Sequence, residues 1–183
     1  QFSGGFGGPI VQDKLFVFGS MQLRRRNDVV TSLTNSDALT LSRFGVSPDS
    51  VSRFTSLLTG NGLSPFGVLA DDRLSDNASG LVRFDYLTEG GQSLTIRGDY
   101  RWSDQDPSRI GPLSLPQTGG NNTTWGGGVM ATLTTNFAGR FLNELEGYGA
   151  TDRRSGRALL DSPAGRVQVA SALDEGQTSI ATL

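Results

Sequence analysis

The sequence predicts an all-β chain, an antiparallel up-and-down segment of a transmembrane β-barrel. Three observations lead there. Apolar and polar side chains alternate over runs of roughly 9 to 13 residues, whereas ordinary globular strands average about 5–6 and transmembrane strands need about 9–11. Short turns alternate with long polar connectors along the whole chain. The polar face of the alternating runs carries charges, which a water-filled lumen tolerates and the core of a sandwich does not.

The elements follow in order. Residues 1–20 hold two strand-like runs rich in Phe, Val and Gly around a Pro/Asp/Lys turn at 9–14. Pro9 lacks the amide donor of a strand ladder and is expected to end the first run. Residues 27–78 are long and polar, yet Ser36–Phe44 and Asp49–Leu58 space apolar residues helically. Val51, Phe54, Leu57 and Leu58 would share one face, and Ser47-Pro48-Asp49 has the chemistry of a helix start. One or two short helices are expected there, in a connector long enough to be functional.

From Ser79 the alternation is clean. Val82, Phe84 and Tyr86 oppose Leu81, Arg83, Asp85 and Leu87. Residues 89–92 form a tight turn in which Gly90-Gly91 suits positive φ. Leu94, Ile96, Gly98, Tyr100 and Trp102 then oppose Thr95, Arg97, Asp99 and Arg101. After a second polar connector, 103–124, Val129, Ala131, Leu133 and Phe137 oppose Met130, Thr132, Thr134 and Asn136. Residues 138–140 turn the chain, and a strand from 141 to 150 sets Phe141 and Leu145 against Glu144 and Glu146. A third polar connector spans 151–163, and 166–173 and 177–183 read as a last pair around 174–176. The count is about seven or eight strands of a larger barrel. Short turns would lie on one side and the long extracellular loops 27–78, 103–124 and 151–163 on the other.

Composition removes several functions. The chain has 183 residues, a net charge of -2, no Cys and no His. Disulfides, thiolate metal sites and histidine general bases are excluded, and no basic footprint for nucleic acid exists. The cations are 15 Arg and one Lys, Lys14. No run of apolar residues is long enough for a membrane helix. Gln1 starts inside a strand-like pattern and Leu183 closely follows another, so the chain reads as an internal piece of a larger protein.

The opening, Gln1-Phe-Ser-Gly-Gly-Phe-Gly-Gly-Pro-Ile-Val-Gln-Asp-Lys-Leu-Phe-Val-Phe-Gly-Ser20 followed by Arg24-Arg25-Arg26, resembles the early barrel of TonB-dependent outer-membrane receptors. The Oar-like branch is the most similar, with a Gly-Gly-Pro-Ile hairpin leading into an aromatic strand, and Asn143-Glu144 also looks like part of a strand of that family. The resemblance implies residues 1–183 as a partial β-barrel domain in the bacterial outer membrane, with the plug domain, TonB-box and C-terminal strand outside this chain. It implies energy-coupled uptake or surface binding of a large ligand. The partners would be outer-membrane lipid, the plug, a TonB-type energising complex and an unidentified ligand, with no nucleic acid. Alternatives are a passive porin-like or structural barrel, or a secreted β-rich adhesin, which would lack aromatic girdles such as Trp102, Trp125, Phe137 and Phe141 provide. A plug and TonB-box upstream of Gln1 would favour the receptor, and a signal peptide there the porin.

The charged residues expected to face the lumen are Arg83, Asp85, Arg97, Asp99, Arg101, Glu144 and Glu146. Cross-strand charge pairs routinely stabilise a solvated sheet face, so their main reading is a stabilising ladder and the second a contact with substrate or plug. Arg24–Arg26 read as a solvated strand end, or as a binder of lipid phosphate or an anionic substrate. Asp71, Asp72, Asp76, Asp104 and Asp106 could offer oxygens to Ca²⁺, but their spacing matches no calcium loop. The sequons at Asn77, Asn121 and Asn122 are frequent by chance, and the Gly-Gly tracts lack the Lys and helix of a phosphate cradle. Neither an enzyme nor a cofactor or metal site is expected. Glu144 and Glu146 lie along one strand and do not flank a substrate bond.

A slice of barrel has one apolar face and two open edges, and neither water nor hydrocarbon satisfies it. The isolated chain is expected to form inclusion bodies or to show poor amide dispersion. A sharp cooperative unfolding transition of the soluble chain would contradict this reading.

Overall fold

The computed structural model describes residues 1–64, 72–137, 140–160, 165–173 and 176–182. Its order is β1 (Phe2–Val11), β2 (Leu15–Val29), α1 (Ala38–Arg43), α2 (Pro48–Gly60), β3 (Asp72–Leu87), β4 (Gln92–Ser108), a 3-10 turn (Pro116–Thr118), β5 (Gly120–Phe137), β6 (Phe141–Ala158), β7 (Arg166–Ala170) and β8 (Gln177–Thr182). β1 to β6 form one open antiparallel sheet in sequence order, and β7 and β8 pair separately. The expectation of seven or eight strands in one sheet is thereby corrected to six plus a detached hairpin. β7 and β8 have 5 and 6 residues against 16 to 18 in β3–β6.

The strands also run further than the alternation suggested. β2 and β3 enter the stretch 27–78, β4 and β5 enter 103–124, and β6 enters 151–163. Polar side chains at these strand ends hid them, because backbone pairing continues where no apolar alternation marks it. Pro9 does not end β1; it sits opposite Phe16, and the strand continues to Val11. β1 is an edge strand, where a missing amide donor is tolerated. The first turn is tight, with Lys14 donating its amide to the Val11 carbonyl at 3.1 Å. Asp13 takes φ 58, a conformation that aspartate tolerates. In the second turn Gly91 takes φ 75 and Thr88 closes on Gln92. Residues 138–139 and 174–175, expected in the third and fourth turns, lie outside the described residues.

Two compact units are distinguishable. The first comprises residues 1–25, 75–104 and 123–155, the second 26–74, 105–122 and 156–183. In the first unit the sheet is a single layer. No large apolar side chain described there is buried, while Phe2, Phe6, Met21, Val82, Phe84, Ile96, Tyr100, Val129 and Leu133 are exposed.

The second unit holds the core. Leu33, Leu41, Val46, Phe54, Leu58 and Leu115 are buried together, with Val51, Leu113, Val167 and Val169 packed against them. Sequence reasoning treated these segments as separate loops, yet they build one interior. Leu33 donates its amide to the Ser114 carbonyl at 2.8 Å, and Ala172 to the Gly45 carbonyl at 2.7 Å. Gly45 has φ 72, and a Cβ there would meet Ser171 Oγ, so this junction demands glycine. The two expected helices are present. Asp37 caps α1 and Ser47 caps α2, with Pro48 in its first turn. Of the four residues expected on one face of α2, Leu57 is 66% exposed. It lies about 100° around the helix from Leu58.

Leu115 is fully buried. Leu115→Ala is expected to destabilise the second unit by about 2–5 kcal/mol, measured as a lower denaturant midpoint for helical signal. Hydrogen bonding from Thr40 holds the Asp37 pKa below the usual carboxylate value. Its support of α1 is therefore complete above about pH 4 and lost as pH falls through the lowered value. Asp37→Asn keeps the cap without titrating, so amide exchange at Thr40 should then lose its acid dependence.

Candidate functional site

Contacts between strands fix which side chains share each face of the first unit. Val82 and Gly98 meet on one face, since a Cβ at Gly98 would lie 3.7 Å from Val82 Cγ1. Phe6 lies against Gly19, its partner in register. Alternation then gathers the apolar residues into nine-residue windows: Leu15–Leu23 on β2, Leu94–Trp102 on β4 and Trp125–Leu133 on β5. Polar pairs on the same face lie just past these windows. Arg25 pairs with Asp76 at 2.7 Å, and Thr123 Oγ1 donates to Asp104 Oδ1. At the turns, Lys14 reaches Glu89 at 2.6 Å.

The opposite face carries the predicted charged residues. Arg83 binds Asp85 through Nε at 2.9 Å and Nη2 at 2.8 Å, and Thr95 Oγ1 donates to the same carboxylate at 2.7 Å. Arg101 Nη2 reaches Asp152 Oδ1 on β6 at 3.2 Å. It crosses β5 over Gly126, where a Cβ would meet both partners. On the same face, Tyr148 lies over Gly128. The expected ladder is thus one pair along β3 and one bridge from β4 to β6. Arg97, Glu144 and Glu146 are exposed without an ion pair among the described residues. Asp99 and Arg101 border one hollow with Ser20, Gln22 and Ser79.

The arginine run splits by alternation. Arg25 lies on the apolar face with Asp76, Arg26 pairs with Asp28 at 2.6 Å, and Arg24 lies on the polar face. Asp72 accepts from Asn27 at 2.8 Å, and Asp76 and Asp104 have the donors described above. Asp71 lies outside the described residues. Among the described residues no group of three or more acidic side chains could hold a metal ion. Sequence reasoning missed Thr95 and Asp152 as partners. Thr95 was legible from the alternation, whereas Asp152 lay in a stretch read as loop. Comparison with protein families, with curated proteins and with solved structures returns no match.

A Cβ at Gly127 would press on the Asp99 carbonyl oxygen of β4, whereas at Gly98 its nearest neighbour is 3.7 Å away. Gly127→Ala is expected to destabilise the sheet by roughly 1–3 kcal/mol and Gly98→Ala to be nearly neutral. Denaturant titration of strand content checks the contrast.

Proposed function

We propose that the chain forms part of the wall of a bacterial outer-membrane β-barrel, that of a TonB-dependent receptor most similar to the Oar-like branch. Its activity is energy-coupled uptake, or surface binding, of a large ligand. The observation that carries the membrane reading is the single-layer sheet of the first unit, which buries no large apolar side chain among its described residues and gathers most of them on one face, with Phe18, Leu87, Leu142 and Tyr148 on the other. Monomers in water seldom expose contiguous apolar patches beyond a few hundred Å², whereas lipid would cover this one. Nine residues of strand rise about 26 Å, which suits an outward apolar band about 25 Å tall. Trp102 and Trp125 end their windows where polar pairs begin, as an interfacial girdle requires.

The receptor reading adds the resemblance of residues 1–26 and the alternation of tight turns with long connectors. In this reading the packed connectors of the second unit face the ligand outside the cell. The polar face looks into the lumen, where a plug would dock and a TonB-type complex would act on it. A porin would share the wall but not the coupling, and co-purification of the full-length protein with a TonB-type partner separates the two.

The membrane reading is tested on the full-length protein in lipid vesicles, with Trp102 and Trp125 kept as its tryptophans. Lipids brominated along their acyl chains should quench the fluorescence of Trp102 and Trp125. Ile96→Arg should cost roughly 2–4 kcal/mol on folding into lipid, and Arg97→Gln should have little effect. Unquenched tryptophans, or equal effects of the two substitutions, would refute the assignment of faces.

A further inference from the structure

The polar face contains a niche that the wall itself does not need. Gln22, Arg24, Asn77, Arg101, Ser103 and Thr124 line it, drawn from four neighbouring strands. Alternation puts all six side chains on the same face as the Arg101–Asp152 bridge. The Arg24 guanidinium, two carboxamides and two hydroxyls line it, Arg101 borders it with its own guanidinium lying over Gly126 toward Asp152, and no carboxylate lines the niche. The nearby acids are engaged elsewhere. Asp76 and Asp104 project from the opposite face, bound to Arg25 and Thr123. Asp152 holds one nitrogen of Arg101 from β6. Asp99 borders the adjoining hollow, one strand repeat from Arg101. Arg24 makes no ion pair with any described residue.

Arg83 and Arg101 each have an aspartate on this face, whereas Arg24 and Arg97 have none among the described residues, and of those two only Arg24 lines the niche. We infer that the niche is a binding site for an oxyanion, a carboxylate or phosphate group carried by a small polyanionic ligand. Arg24 would supply the charge, its planar guanidinium fork suiting either group bidentately, with Arg101 at the border held by Asp152. The carboxamides and hydroxyls supply neutral donors around it. Gly126 matters here too, because its missing side chain leaves Arg101 free to lie across β5 and holds it in place through Asp152. The inference deepens the proposed receptor reading by naming a substrate class, but the niche is solvated whether the opposite face meets lipid or not.

Isothermal titration calorimetry on the full-length protein reports binding in detergent micelles at fixed ionic strength. Citrate and inorganic pyrophosphate, titrated separately, distinguish a carboxylate ligand from a phosphate one. Saturable change with at least one of them is expected. Arg24→Gln should weaken it roughly tenfold, the effect of losing one charge-assisted hydrogen bond. Arg24→Lys, keeping the charge without the fork, should weaken it less. Arg97→Gln, on the same face outside the niche, should leave it unchanged. No saturable response to either anion would overturn the inference. So would equal weakening by Arg24→Gln and Arg97→Gln, which would mark diffuse charge attraction. Neither result bears on the membrane reading, which lipid quenching decides.

Discussion

An apolar sheet face without a second protein layer is the constraint on which the rest of the first unit depends. Sheets normally bury such a face against helices or another sheet. Here the second unit has its own core, and its buried residues, from Leu33 to Leu115, come from connectors and α2 rather than from β1–β6. The exposed windows of β2, β4 and β5 therefore need a cover from outside. Phe6, Met21, Ile96 and Val129 could each be an ordinary exposed apolar residue. Their convergence on one face, closed off by Arg25–Asp76 and Asp104–Thr123, is what requires an explanation.

The second unit answers a different problem. Long connectors carry many backbone polar groups and few apolar residues, and left alone they would not order. Pooling Leu33, α1, α2, Leu113, Leu115 and the β7–β8 hairpin concentrates enough apolar surface for one small interior. Segments distant in sequence are tied by backbone bonds such as Leu33–Ser114, Leu159–Gly119 and Ala172–Gly45. The arrangement gives the described connectors one shared interior.

The all-β class, the helical spacing of both helices, the start of α2 at Ser47-Pro48 and the two faces of β3, β4 and β5 were legible in the sequence, whereas the Asp37 cap of α1 was not read. Three other features were not legible. The ends of β4 beyond Trp102 and of β3 before Ser79 carry mostly polar residues, so no period marks them. The shared core joins residues more than a hundred positions apart, such as Val51 and Val167, and nothing local announces that pairing. The niche was half visible: Arg24 was noticed as part of a charge run, but only period-two alternation separates it from Arg25. Gln22 and Thr124, its uncharged neighbours, carry no sequence signal.

Alternation also couples stability to recognition. Arg24 and Arg25 are adjacent in sequence and serve opposite faces, one bordering the niche and the other closing the apolar window against Asp76. A one-residue slip of β2 would exchange them and carry Met21 and Leu23 onto the polar face. The register must therefore be fixed more firmly than backbone pairing alone would fix it. Lys14–Glu89 at the turns and Arg25–Asp76 near the other end of the window act as pins on the strands they join. Each pair is exposed and individually weak. Asp76 could meet Arg24 or Arg26 after a slip, so the apolar set from Leu15 to Leu23 supplies most of the penalty, with Lys14–Glu89 adding to it at the turns. The register that places Leu15–Leu23 on the apolar face thus also places Arg24 on the face of the niche.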